Sequence, residues 1–155
     1  MRKILLAIDD TQGSLHAADV LIDLFSAAKP ASVVLVYVEK MLGRSIIGEA
    51  LESEPDIQEM RQALKGTPYQ ERLDQRGKGI ITFYEKKLAD AGISNVESVV
   101  REGHPAEEIL AVAEQQDADL IVVGSRGGRQ HRFLLGSVSR EVTNSSHRPV
   151  LIARR

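Results

Sequence analysis

Short apolar segments that alternate with amphipathic segments place the strongest constraint on the fold of this chain. Continuous apolar runs of this length are typical of strands buried on both faces of a parallel sheet. The runs cover residues 4–8, 33–38, 120–123 and 150–153, and residues 96–101 form a weaker one. The sequence therefore predicts five strands.

Between the predicted strands, apolar residues recur at helical spacing. The pattern predicts helices over about residues 14–28 and 75–91, a third that begins at Pro105, and a fourth that begins near Ser137. Ser14 is the predicted N-cap of the first helix, and Gly92 is a suitable residue to end the second.

This alternation predicts an α/β fold with an open, doubly wound parallel five-stranded sheet and helices on both faces. The length of 155 residues corresponds to one domain that spans the whole chain. In such sheets, ligands bind at the carboxyl ends of the strands where the strand order reverses. Asp9 and Gly124 stand at two predicted strand ends.

Composition excludes several classes of site and partner. The chain has no cysteine, which rules out disulfides and cysteine-ligated metal sites. A net charge of -2 and a pI near 6.1 predict no nucleic-acid partner. The first apolar run stops at Asp9, too short for a signal peptide or a membrane span, so we expect a cytoplasmic protein without a membrane partner.

Residues 41–79 depart from the alternating pattern. They are rich in acidic residues and then contain Lys65-Gly66-Thr67-Pro68. We expect an exposed loop with a partial helix, inserted after the second strand. Two interpretations stay open, a lid that covers a ligand and a solvated insertion.

Two glycine-containing segments, residues 124–127 and 136–139, suggest a phosphate site. The first follows a predicted buried strand, and the second lies at a predicted helix start. Glycine lets backbone N–H groups approach an anion, and a helix N-terminus favours negative charge, although a ligand-free turn needs the same glycines. Basic residues lie between the two segments, namely Arg129, His131 and Arg132. The combination favours nucleotide binding.

These segments resemble the universal stress protein family, specifically its ATP-binding branch. The resemblance covers nearly the whole chain. It is carried by Lys3-Ile4-Leu5-Leu6-Ala7-Ile8-Asp9, by Gly103-His104-Pro105-Ala106, by residues 118–127, and by Arg148-Pro149-Val150-Leu151-Ile152-Ala153. It implies a Rossmann-like fold of the adenine-nucleotide α-hydrolase type and a regulatory stress-response protein that binds ATP or AMP.

The resemblance also implies the site residues. They are Ala7, Ile8, Asp9, Val38, Val123, Gly124, Arg126, Gly127, Gly136, Ser137, Val138 and Ser139. The apolar members would line the base pocket, Asp9 would contact adenine or ribose, and the glycines, serines and Arg126 would hold ribose and phosphates. Mg²⁺ would be bound only through the phosphates. Each residue has a structural alternative, such as a turn aspartate or a core valine.

The chain departs from the family pattern in two places. Eight residues, 128–135, separate Gly127 from Gly136, one fewer than in the ATP-binding pattern. Asp10-Thr11 replaces the usual Gly-Ser after the aspartate, which adds a negative charge. Both departures favour the alternative of a nucleotide-free protein-interaction module with the same fold.

Enzymatic activity has little support in the sequence. No serine, histidine and acid set suggests a hydrolytic triad, and no positioned general base is evident, so we expect at most slow ATP hydrolysis. A third interpretation, an adenylate-transferring enzyme, would need a basic catalytic motif that the chain lacks.

The histidines and the last strand complete the sequence-based expectations. His16, His104, His131 and His147 lack metal-ligand spacing, so no metal site is predicted, and His104 is assigned a helix-capping role. The family resemblance implies a homodimer in which residues Val150–Ala153 of two chains pair antiparallel. An unpaired apolar edge strand favours such association.

Overall fold

The computed structural model describes residues 2–40, 59, 62–125 and 135–154. Strands and helices alternate along them in this order: β1 (Lys3–Ile8), α1 (Gln12–Leu24), β2 (Ser32–Lys40), α2 (Pro68–Asp90), β3 (Val96–Gly103), α3 (Pro105–Gln115), β4 (Leu120–Gly124), α4 (Ser137–Ser145) and β5 (Val150–Ala153). The five predicted strands are confirmed. None of the helices in these ranges combines the length and hydrophobicity needed to cross a bilayer.

The strands form one five-stranded parallel sheet in the order β3-β2-β1-β4-β5. The chain builds outward from β1 to β3 and then crosses to the other side of β1 to add β4 and β5. The strand order therefore reverses between β1 and β4. Their carboxyl ends mark the place where this class of sheet binds ligands.

Helices cover both faces of the sheet. Alternate side chains of β1 point to opposite faces, so Leu6 packs in the core with Leu21 of α1 and Leu88 of α2. Leu5 packs in the other core with Ile109 of α3 and Val142 of α4. All of these except Ile109, which is 3% exposed, have no exposed surface. The predicted doubly wound α/β fold is confirmed.

The start of α1 differs from the prediction. The helix begins at Gln12, and its N-cap is Thr11, whose Oγ1 accepts a hydrogen bond from the Ser14 N–H at 3.2 Å. The predicted cap, Ser14, lies inside the first turn and is 5% exposed. Both residues are good caps in isolation, and the chain uses the earlier one because Ser14 is drawn into the interior. The helix also ends at Leu24, before the predicted limit.

Helix α2 begins earlier than predicted. Thr67 is its N-cap and Pro68 its first residue, so the helix includes part of the segment expected to combine an exposed loop with a partial helix. Thr followed by Pro is a strong start signal because the hydroxyl caps the turn and proline suits the first position. At the other end, Gly92 has a φ of +78°, as expected of a glycine that follows a helix. Residues 41–58, 60 and 61 of the lid or insertion predicted over 41–79 lie outside the described residues.

Candidate functional site

A cavity of about 210 Å³ lies at the carboxyl ends of β1 and β4, on the side of the sheet covered by α3 and α4. Ten of the twelve predicted site residues line it, namely Ala7, Ile8, Asp9, Val38, Val123, Gly124, Gly136, Ser137, Val138 and Ser139. The other two, Arg126 and Gly127, lie outside the described residues. The fold thus brings together residues that are distant in sequence.

Sequence reasoning missed several lining residues. They are Thr11, Gly13, Ser14, Val36, Pro105, Ile109 and Ser125. For some of these residues, the sequence did contain a signal that they would line the site. Val36 is two residues from Val38 and therefore on the same face of β2, and Thr11 follows Asp9 at the helix start. For Ile109 the sequence contained no such signal, because its position at the cavity depends on how α3 packs on the sheet.

One wall of the cavity is apolar. Val36 and Val123 are almost fully buried, at 1% and 3% exposed, and Val38 packs against the same core. Strand alternation places the Ala7 side chain on this face, whereas Ile8 packs into the core on the opposite face. Of the two β1 residues predicted to line a base pocket, Ala7 alone directs its side chain to the cavity side.

Asp9 organises the turn between β1 and α1. Its Oδ1 accepts hydrogen bonds from the Thr11 N–H at 2.8 Å and the Thr11 hydroxyl at 2.5 Å. Its own N–H donates to the Ser14 Oγ at 2.9 Å. Its second carboxylate oxygen, Oδ2, has no hydrogen bond to another described residue. Asp9 is therefore a turn residue that keeps one oxygen for other contacts.

The extra negative charge at Asp10 is paired outside the cavity. The Asp10 carboxylate accepts a hydrogen bond from the Arg76 guanidinium of α2, and this hydrogen bond raises the pKa of Arg76. Asp10 does not line the cavity described above; together with Arg76 it lines a separate groove between α1 and α2. Its charge therefore does not face a ligand in the cavity directly.

Gly124 has a packing role at the end of β4. A Cβ at this position would lie 2.4 Å from both the carbonyl carbon and the carbonyl oxygen of Gly13, and 3.0 Å from the Ser14 nitrogen. Backbone atoms cannot move aside cheaply, so the close approach of β4 to α1 requires glycine here. The approach to Gly13 explains this glycine without a ligand.

The Ser125 carbonyl holds the start of α4 in place. It accepts hydrogen bonds from the Gly136 N–H at 2.8 Å and from the Ser139 hydroxyl, whose oxygen is 3.2 Å away. Ser139 is 2% exposed, and its hydroxyl also lies 3.1 Å from the Gly136 carbonyl. Two groups expected to contact phosphate are thus engaged within the chain.

The first turn of α4 still offers backbone donors. The first N–H groups of a helix have no acceptor within it, and here they belong to Ser137, Val138 and Ser139. The first bond to the cap residue is donated by the Arg140 N–H to the Gly136 carbonyl. Because all three residues line the cavity, the positive end of α4 lies at its edge.

Comparison with known proteins identifies relatives along the full chain. A model of the Universal stress protein family matches residues 1–154. The chain is 33% identical over 156 residues to Universal stress protein YxiE of Bacillus subtilis, with 98% of each sequence covered.

Solved structures share the fold. That of the protein MJ0577 of Methanocaldococcus jannaschii superposes with a TM-score of 0.76 at 27% identity, covering 99% of this chain and 96% of that one. A universal stress protein family protein from Arabidopsis thaliana, solved with AMP bound, has a TM-score of 0.68 at 19% identity, with 100% and 92% covered. At this low identity, the similarity to the Arabidopsis protein shows a shared fold and nothing further.

Proposed function

The chain belongs to the universal stress protein family, and from this we propose that it is a regulatory protein that binds an adenine nucleotide, ATP or AMP. The ligand would occupy the cavity at the carboxyl ends of β1 and β4. The observation that carries the proposal is one cavity with an apolar wall on one side and the N-terminus of α4 on another. An apolar wall suits the flat base of a nucleotide, and a helix N-terminus suits its anionic phosphates.

The apolar wall is suited to the adenine ring. Val36, Val38 and Val123 present aliphatic surface on which a purine can pack without losing hydrogen bonds. The Oδ2 of Asp9 is an acceptor for a ribose hydroxyl or the adenine amino group. The turn through Thr11 fixes that carboxylate in place before any ligand binds.

The phosphates would bind at the start of α4. The N–H groups of Ser137, Val138 and Ser139 and the dipole of the helix favour an anion there. The cavity volume of about 210 Å³ is smaller than the roughly 300–1,000 Å³ typical of ligand sites, so we expect the phosphates to extend beyond it. Arg126 and Gly127 are proposed to contact them, and Mg²⁺ to bind through them.

Binding rather than catalysis is the proposed activity. Among the described residues that line the cavity, Asp9 is the one with an acidic side chain; its Oδ1 is engaged with Thr11, and its Oδ2 is proposed to bind ribose or adenine rather than a water beside the phosphates. A general base for water needs a free, positioned acceptor. We therefore expect hydrolysis of ATP to be slow at most.

A relative supports the ligand class. The Arabidopsis protein of the same fold was solved with AMP bound. We propose the same class of ligand for this chain because its own cavity lies where the strand order of the sheet reverses. The cytoplasm is the proposed location.

Two observations favour the alternative, a nucleotide-free interaction module. The Gly136 N–H and the Ser139 hydroxyl both bond to the Ser125 carbonyl, so two groups expected to bind phosphate are engaged without it. The shorter spacer before Gly136 points the same way.

Dimerisation through β5 is also proposed. Strand β5 lies at the end of the sheet and pairs with β4 along one edge only. Its residues Val150, Leu151 and Ile152 are apolar and partly exposed. Antiparallel pairing with a second copy would cover that edge.

Native mass spectrometry of freshly purified protein tests ligand and subunit count together. We expect a dimer with adenine nucleotide bound, and calorimetric titration of the stripped protein with ATP and AMP should then give saturable binding. GTP is the control for base recognition. Failure of millimolar ATP, with or without Mg²⁺, to bind or to raise the melting temperature would select the nucleotide-free alternative.

A further inference from the structure

A histidine and two glutamates form a cluster between α3 and α4, outside the lining of the nucleotide cavity. His104 immediately precedes α3, Glu107 lies in its first turn, and Glu141 lies on α4. Their potential ligand atoms all lie within 4.8 Å of one another. We propose that these three side chains bind a divalent transition-metal ion of the zinc class.

One nitrogen of the His104 ring makes no hydrogen bond within this cluster. Its Nδ1 is buried and has no hydrogen-bond partner among the described residues. His104 is the N-cap residue of α3, as predicted, but its side chain makes no capping hydrogen bond. A buried polar atom without a partner is costly, and nearly all such atoms in folded proteins are satisfied. A bound cation would satisfy this one.

The distance between His104 Nδ1 and Glu141 Oε1 matches the distance between two atoms that coordinate the same metal ion. His104 Nδ1 and Glu141 Oε1 are 3.6 Å apart, too far for a good hydrogen bond. Zinc–nitrogen and zinc–oxygen distances of about 2.0–2.2 Å at tetrahedral angles separate two ligand atoms by about 3.3–3.6 Å. The pair therefore needs little movement to coordinate one ion.

The third ligand and the charge of the cluster complete the site. Glu107 is exposed, so it can rotate onto an ion that arrives from solvent. Two carboxylates and a neutral imidazole carry a charge that balances a dication, and the mixed nitrogen and oxygen donors suit zinc. Glu107 and Glu108 in the first turn of α3 offset the positive end of that helix. Water would supply the fourth ligand.

The sequence gives no signal for this site because Glu141 comes from a helix far along the chain. Only the packing of α4 against α3 brings it to His104. None of the three ligands lines the nucleotide cavity. Zinc binding and nucleotide binding can therefore fail independently.

Calorimetric titration of the nucleotide-free protein with Zn²⁺ tests the site. We expect one equivalent to bind to the wild type, and the affinity to fall at least about tenfold in His104→Gln and in Glu141→Gln. The matched control is His147→Gln, which removes an exposed histidine on the loop before β5 and should leave the titration unchanged. Equal binding by wild type and His104→Gln, or no binding by either, would overturn the proposal.

Two further readouts separate a metal site from a structural ion pair. Co²⁺ should give visible d–d absorption bands in the wild type that are lost in Glu141→Gln. Zn²⁺ at about 100 times its Kd should raise the melting temperature of the wild type by about 5–10 °C. A rise of the same size in Glu141→Gln, or wild-type cobalt bands in that variant, would contradict coordination by α4.

Discussion

The hydroxyl of Tyr84 donates a hydrogen bond to the Ser14 Oγ at 2.9 Å, and the two side chains are 3% and 5% exposed. The same Ser14 oxygen accepts from the Asp9 N–H. Helix α2 therefore holds the β1–α1 turn, beside the cavity at the carboxyl ends of β1 and β4, through a buried hydroxyl pair. Burial raises the pKa of Tyr84, which keeps the hydroxyl protonated and able to donate.

Replacing Tyr84 with phenylalanine removes this support while keeping the ring. We expect Tyr84→Phe to lower the free energy of unfolding by about 1–2 kcal/mol, since the buried Ser14 oxygen loses one of its two hydrogen-bond donors. Urea denaturation measures the change. The control is Tyr69→Phe, at a residue 36% exposed, which should differ little from wild type. Equal stability of the two variants would show that the hydroxyl pair contributes nothing.

Gly124 and Gly79 should respond oppositely to the same substitution. Gly124→Ala places a Cβ against the Gly13 backbone and should destabilise the protein by about 1–3 kcal/mol. Gly79 lies within α2, and a Cβ there has no neighbouring atom within 4 Å. Gly79→Ala should therefore stabilise by about 0.5–1 kcal/mol. Thermal or urea unfolding of both variants checks the contrast, and a tolerated alanine at 124 would contradict the packing explanation.

Asp9→Asn separates the turn from the ligand contact. Asparagine keeps a carbonyl oxygen to accept from Thr11, but it removes the negative charge and the second carboxylate acceptor. If Asp9 binds the nucleotide, affinity for ATP should fall by about tenfold or more, the scale of a hydrogen bond to a charged group. Calorimetry measures it, with Asp23→Asn on the exposed side of α1 as the control. An unchanged Kd would remove Asp9 from the site.

Glu39 provides a pH-dependent test of stability. Burial raises the pKa of this carboxyl above its ordinary value of 4.5, and the negative charges of Glu102 and Asp74 raise it further. Between the ordinary and the raised pKa, the folded state binds more protons than the unfolded state. The contribution of this group to stability is therefore greatest below pH 4.5 and is lost as the pH rises through the folded pKa.

Glu39→Gln mimics the protonated carboxyl at every pH. We expect the variant to be more stable than wild type at pH 7 and the difference to shrink as the pH approaches 4.5. Urea unfolding at several pH values measures this. Glu97→Gln, at an exposed position on β3, is the control and should follow wild type. A neutral-pH loss of stability in Glu39→Gln would contradict the sign.

Local patterns were sufficient to predict the sheet. An apolar run such as that of β1 has few alternatives to a buried strand, because both of its faces must be covered. In a parallel sheet of this kind, ligands bind at the carboxyl ends of the strands where the strand order reverses. Asp9 and Gly124 could therefore be placed at the cavity from the sequence. The glycine-containing start of α4 already indicated an anion site, and the family resemblance then supplied its individual residues.

The remaining features depend on contacts between distant segments. The pairing of Asp10 with Arg76 and the hydrogen bond between Tyr84 and Ser14 join α2 to the β1–α1 turn, and no local rule selects these partners. The cap of α1 moved from Ser14 to Thr11 for the same reason. Ser14 is an acceptable cap by type, but tertiary packing uses its hydroxyl elsewhere.

The Ser125 carbonyl has a consequence for how this protein tolerates change. It accepts hydrogen bonds from the Gly136 N–H and the Ser139 hydroxyl. The end of β4 and the start of α4 are therefore held together at this carbonyl. Closing a loop on such an anchor costs only slightly more when residues are added. A change in the number of residues between Ser125 and Gly136 should therefore leave these two hydrogen bonds, and the sheet beneath them, in place.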